Sequence, residues 1–278
     1  MGYVDFILNL AGLLLWLNWR SVGYDPLRKR TPATLMGTLR PATPKKIQRW
    51  HLLAIIAGLL LVRGFFYWQI GAALTPIWTG KLDLGVITLS FRSDWFGRIL
   101  LFSFLSFGRT LGIFYIALLF LSLLKGPEPI HRFVRIPFGR VDDWARWQKI
   151  ILPFVATAVL WLLTDSLLIA LQISPPPVSI AQRLEQAAVI ATGSYLVWKF
   201  PAAAVLGLHL LSSYIYFGKH PFWNYVNVTA ETILQPLRKI PLRVGKMDFA
   251  PVVGMVLIFL AAEFAGRGLN WLYSRLPF

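Results

Sequence analysis

Six stretches of this chain stay apolar for about the length that a helix needs to cross a bilayer, roughly 20 residues for a hydrocarbon core of roughly 30 Å. They cover residues 4–19, 51–70, 97–124, 150–173, 196–217 and 251–272, the first short and the third long. Lipid leaves only helices or closed barrels as spanning structures, and the short alternating segments of a barrel are not seen. The pattern predicts an all-α membrane protein with six transmembrane helices. Composition agrees: 56% of the residues are hydrophobic and 14% charged, more apolar surface than one soluble core of 278 residues can hide.

The N-terminal stretch has neither a basic leading region nor a small-residue cleavage site, and is read as a span and not a removable signal. There are no cysteines. Thiol nucleophiles, disulfides, thiolate zinc sites and Cys-ligated clusters are therefore excluded.

The basic residues decide the topology. Residues 20–50 carry Arg20, Arg28, Lys29, Arg30, Arg40, Lys45, Lys46 and Arg49, and residues 125–149 and 218–250 are also rich in Lys and Arg. Each of these segments follows an odd span and precedes an even one, so all lie on one face. The connections 71–96 and 174–195 are poor in cations, with Arg183 balanced by Glu185. The positive-inside rule makes the basic segments cytoplasmic and both termini external, giving three helical hairpins. A net charge of +16 suggests nucleic acid in a soluble protein. Here it reads as topogenic charge touching anionic headgroups, with no nucleic-acid partner expected.

The basic segments also repeat. The middle one contains Pro129, Arg132, Arg135, Ile136-Pro137, Gly139 and Asp142; the last contains Pro236, Arg238, Ile240-Pro241, Gly245 and Asp248, and Pro153 or Pro251 opens the span that follows. Asp25-Pro26-Leu27-Arg28 echoes them more faintly. The chain thus reads as one membrane domain, 1–278, built from a degenerate first repeat (1–70), a second (97–173) and a third (196–275). In the third, Asn227 or Thr229 caps a short amphipathic helix with Glu231 in its first turn and Ile233, Leu234, Leu237 and Ile240 on one side. That side either lies on the inner leaflet or packs on neighbouring spans. Gly245 supplies a tight turn, and Asp248 caps the last span, whose first turn holds Pro251. Between spans two and three, residues Leu82 to Phe91 alternate weakly, as a short strand or a surface strip would.

The phrase running through Glu231, Gln235-Pro236, Arg238-Lys239-Ile240-Pro241, Gly245 and Asp248-Phe249-Ala250-Pro251 resembles the signature of the YggT family of small bacterial and plastid integral membrane proteins, with Ala250 where Ser is usual. The resemblance is close over about residues 196–275 and degraded over 97–173. It implies a bacterial cytoplasmic (inner) membrane location and tandem repeats, but no agreed biochemical activity. Members are associated with osmotic tolerance and cation uptake, with cell or plastid division and nucleoid placement, and with maturation of a plastid b-type cytochrome.

Ionisable residues inside spans are costly unless paired or hydrated, which makes Arg63, Arg109, Asp165 and Glu263 the candidate functional residues. Asp165 follows Pro153, and Glu263 follows Pro251, at the same interval, which puts both acids about 18 Å from the cytoplasmic edge, and the two arginines fall near that depth. Two bases and two acids in one layer either form interhelical ion pairs that keep the hairpins in register or line a hydrated path for cations or protons. Lys199 reads as a snorkelling residue near the outer interface. His209 has no second intramembrane histidine at matching depth for haem, so no cofactor and no metal are expected. No phosphate loop, metalloprotease helix or nucleophile elbow is present, and an enzyme is not expected. The sequence therefore points to a non-enzymatic scaffold or assembly factor engaging other membrane proteins or a further copy of itself. The alternative is a transporter or channel component using the charged layer.

Overall fold

In a computed structural model the described residues are 2–21, 49–74, 79–124, 137–139, 141, 144–215, 221–239, 242–244 and 247–276. Most of the first two basic segments, together with Pro241 and Gly245 of the family phrase, lies outside them. Helices dominate: α1 (Gly2–Ser21), α2 (Arg49–Leu74), α3 (Phe96–Leu123), α4 (Arg146–Ala170), α5 (Ile180–Gly193), α6 (Lys199–Tyr214), α7 (Pro221–Leu234) and α8 (Ala250–Ser274). Two small antiparallel ribbons accompany them, β1 (Thr79–Asp83) with β2 (Thr88–Arg92), and β3 (Arg243–Val244) with β4 (Met247–Asp248).

Among the described residues, five helical stretches are long and apolar enough to cross a membrane: Trp50–Gly71, Phe96–Leu123, Arg146–Ala170, Ile180–Tyr214 and Ala250–Ser274. Helix α1 is not among them, because Asp5, Asn9, Asn18 and Arg20 interrupt its apolar run. A larger departure from the sequence reading concerns the fifth stretch. Residues 180–195, expected as most of an outer loop, are helical, and α5 runs through a 3-10 segment (Ser194–Trp198) straight into α6. The resulting 35 residues rise about 52 Å, well beyond the hydrocarbon thickness. Weak apolar content, with Gln182, Arg183, Glu185 and Gln186 in one turn and a half, had disguised the helix. Lys199 consequently sits in the middle of this stretch, its ammonium 5.2 Å from the Phe200 ring, and not at an outer end.

The chain forms two compact units, Met1–Gly80 with Arg92–Leu111, and Lys81–Phe91 with Gly112–Phe278, so that α3 belongs to both. In the first unit α1, α2 and the start of α3 run alternately up and down. Ile56, Leu60 and Phe107 form its buried apolar cluster, with Leu15, Trp16, Leu59 and Leu111 around it. Gly12 makes room for the Phe107 ring, which an added Cβ would approach to 2.7 Å. The Ser103 hydroxyl donates to the Leu60 carbonyl at 2.9 Å, tying α3 to α2.

In the second unit α4 and α5 make an antiparallel hairpin. Helix α4 closes with Gln172 in the left-handed region (φ 54°), with Gln172 N–H on the Ile169 carbonyl and Ile173 N–H on the Leu168 carbonyl. This satisfies carbonyls that the helix end leaves open. After Pro175-Pro176-Pro177, Ser179 caps α5 by accepting from Gln182 N–H at 3.1 Å. The start of α4 is Arg146, so Pro153 lies inside the helix instead of opening it. The ring removes the hydrogen bond to the Lys149 carbonyl. Beside that break, Tyr195 donates to the Ile150 carbonyl at 2.6 Å.

Helices α6, α7 and α8 pack around Val205, Leu206, Ala230 and Leu234. Gly254 on α8 permits this contact, since a Cβ there would meet Leu234 Cδ2 at 2.8 Å and Leu206 Cδ1 at 3.2 Å. The apolar side of α7 thus packs on neighbouring spans through Ala230, Ile233 and Leu234. The alternating segment Leu82 to Phe91 belongs to a hairpin, with Gly85 at φ 86° and its N–H on Asp83 Oδ1 at 2.7 Å. Its tip is buried: Val86 fits against Gly193, and the Asn270 amide of α8 donates to the Val86 carbonyl at 2.8 Å.

Candidate functional site: paired charges within the helices

Arg63 on α2 is the centre of a polar cluster in the first unit. Its guanidinium donates to Asn9 Oδ1 at 2.7 Å, to Ser106 Oγ at 2.9 Å and to Asp5 Oδ1, while Tyr67 donates to the same Asp5 oxygen at 2.8 Å. Asn9 also donates to Ser106 Oγ at 3.1 Å. The Tyr67 and Phe102 rings flank the cation, each with its centroid 5.7 Å from Cζ. The side chain of Arg63 is fully buried and that of Asp5 is partly buried, 22% exposed. Burying a charge is tolerable only when it is paired and hydrogen-bonded, and the planar fork of Arg reaches several acceptors at once. Asp5 and Asn9 had a legible signal, since their spacing puts them on one face of α1, but the sequence reading did not use it.

Asp165 on α4 belongs to the second unit and is 1% exposed. Its partner is Arg183 near the start of α5, with Nε 2.8 Å from Oδ2. Arg183 Nη2 also donates to Ser166 Oγ at 2.7 Å and to the Leu162 carbonyl at 2.9 Å. Arg183 was read as a loop residue balanced by Glu185, and the helix beneath it is what turns it toward α4.

Glu263 behaves differently. It pairs with Arg267 of its own helix at 2.9 Å, and both side chains are exposed, by 59% and 73%. Asp165 lies about 28 Å along the axis from Arg146, and Glu263 about 20 Å from Ala250, so the equal spacing from the two prolines does not give the acids equal places on their helices. Arg109 is exposed on α3. The four residues expected in one layer are therefore not one another's partners in any of these pairs: Arg63 meets Asp5, Asp165 meets Arg183, and Glu263 meets Arg267.

A third polar group lies under α7. His209 Nδ1 is 2.8 Å from Asn227 Oδ1, which also accepts from Ser212 Oγ at 2.8 Å. The Tyr225 and Thr229 side chains are buried one turn apart on the same helix. Burial pushes the Tyr225 phenol above its ordinary value, and Thr229 beside it pulls less strongly the other way. Among the family-phrase residues, Glu231 is exposed on α7, Pro236 is exposed in a 3-10 segment (Gln235–Lys239) that also contains Arg238 and Lys239, and Asp248 Oδ1 accepts from Ala250 N–H at 2.9 Å at the start of α8, next to buried Pro251. Among the described residues no three His, Asp or Glu side chains come together as a metal ion would need.

Apolar helices of membrane-spanning length whose buried charges are paired with charges on neighbouring helices define an all-α integral membrane protein. Within it, residues 188–269, from the later part of α5 through most of α8, match the family model described as CCB3/YggT. No curated protein and no solved structure matches the chain.

Proposed function

We propose that this protein is a non-enzymatic scaffold or assembly factor of the bacterial cytoplasmic membrane, engaging other membrane proteins through its cytoplasmic face. In this reading α1 crosses as a sixth span, the basic segments face the cytoplasm and its anionic headgroups, and both termini are external. Residues 1–70 and 97–173 are degenerate copies of the C-terminal repeat. The observation that carries the reading is the use of the buried charges. Arg63 with Asp5, and Asp165 with Arg183, tie one helix to another, so these polar groups are spent on holding the bundle. The recognition surface in this reading is the exposed side of α7 that carries Glu231 and Thr232.

Affinity purification of the tagged full chain in several mild detergents tests this, with Glu231→Lys as the comparison. A reproducible membrane-protein partner that is lost in the variant is the expected result. A chain that emerges alone under every extraction condition removes the scaffold reading. The absence of native cysteine also allows single cysteines at Tyr3 and Ser274 to be labelled from either side, and labelling from the cytoplasm would reverse the topology.

A further inference from the structure

Helix α8 is the least enclosed of the five candidate spans. Along its exposed side run Val256, Leu260, Phe264 and Trp271, and in the midst of this apolar stripe stand Glu263 and Arg267. Lipid accounts for the apolar residues but not for the ions. Glu263 lies about 20 Å from the first residue of α8 and about 16 Å from the last, close to the middle of the span, where ionisable residues face protein or water and rarely lipid. Their own pairing neutralises the charge but leaves both side chains open along the whole stripe.

We propose that this stripe is an interface between two copies of the chain, in which the two ions exchange partners. Copies inserted in the same orientation are related by a two-fold axis along the membrane normal, so the same stripe meets itself. Arg267 stands one helical turn, roughly 6 Å, further along the axis than Glu263. Across a close parallel contact, Glu263 of each copy reaches the partner's Arg267, and the arrangement is satisfied twice. A partner of another kind would need its own acid and base at matching heights. A second copy supplies them by symmetry. Leu260, Phe264 and Trp271 then bury against their equivalents and shield the four charges from lipid. The inference does not depend on what the protein assembles.

Charge reversal separates the exchanged pairs from the pairs within a helix. In Glu263→Arg the helix carries two bases, and in Arg267→Glu two acids, so neither variant has an internal pair and each repels itself. Only when the two are co-expressed under different tags does every base face an acid, and then solely across the interface. Each variant alone should self-associate about tenfold less than the parent chain in nanodiscs, and the mixture should recover. A cysteine-free sequence adds a measurement that leaves the charges in place. Phe264→Cys should form a disulfide dimer in native membranes on mild oxidation, while Ile258→Cys, packed against the α6–α7 cluster, should not. A mixture no stronger than either variant alone, equal cross-linking at the two positions, or a Phe264→Cys adduct with a different protein overturns the proposal.

Discussion

Asp165 and Arg183 meet at 2.8 Å across the α4–α5 hairpin, a buried acid on one helix held by a base on the next, with Arg183 Nη2 donating to Ser166 and to the Leu162 carbonyl. The pair sits near the closed end of the hairpin, beyond which the triple-proline turn reverses the chain. Together with the Tyr195 hydroxyl on the Ile150 carbonyl at the other end, it fixes the register of the two helices. Dispersion alone specifies such register weakly, because neighbouring apolar side chains offer similar contacts after a slip.

Asp165→Ala leaves the Arg183 cation without its counter-charge and should destabilise the protein by about 3–5 kcal/mol, toward the lower end because Arg183 is partly exposed. Replacing both, Asp165→Leu with Arg183→Met, should cost less than either single change. Thermal unfolding in mild detergent checks the comparison, and strictly additive losses would show that the two side chains are not coupled.

Arg63→Lys keeps the charge and loses the fork. A lysine ammonium cannot hold Asp5, Asn9 and Ser106 in the geometry seen here, so a loss of about 1.5–3 kcal/mol is expected. The change should also free α1, read out as faster backbone hydrogen exchange over residues 3–20 than over α4 and α5. Unaltered exchange in α1 would mean that the packing of Gly12, Leu15 and Trp16 on the cluster around Phe107 suffices.

Gly193→Val should displace the β1–β2 hairpin. An added Cβ lies 2.3 Å from Val86 Cγ2, and Val86 is too enclosed and too stiff at its branched carbon to move aside. Faster proteolysis within 79–92 is the expected signature, and Val86→Ala in the same chain should restore part of the protection.

Asn227→Leu removes the acceptor shared by His209 and Ser212 and leaves their polar atoms under α7. A cost of about 1–3 kcal/mol is expected, localised as increased exchange in residues 221–234. The helix should stay attached through Ala230 and Leu234, so complete loss of α7 would place its docking in this polar contact instead of the apolar one.

Purified protein in liposomes should carry no cations or protons above the level of empty vesicles, since Arg63 and Asp165 are each engaged in ties between helices. Flux that falls in Asp165→Asn and Glu263→Gln would replace the scaffold reading with transport.

The sequence by itself determined the class. Apolar runs of spanning length and the lack of alternating segments specify an all-helical membrane protein, because lipid permits few backbone solutions and length alone selects among them, and the Pro-Leu-Arg phrase around residue 236 falls in the segment that matches the CCB3/YggT family model. It also placed Asp248 at the start of α8, where the N-cap is Phe249 and the Asp248 carboxylate accepts from Ala250 N–H two residues on. Tertiary structure decided which charges are partners. Asp5 reaches Arg63, and Arg183 reaches Asp165, through helix contacts that spacing within one segment cannot reveal. The equal intervals from Pro153 and Pro251 to the two acids suggested equivalence, yet one helix starts well before its proline and the other beside it. The helix over residues 180–195 was hidden for a related reason: its polar turn is stabilised by packing along α4, and local composition records only the polarity.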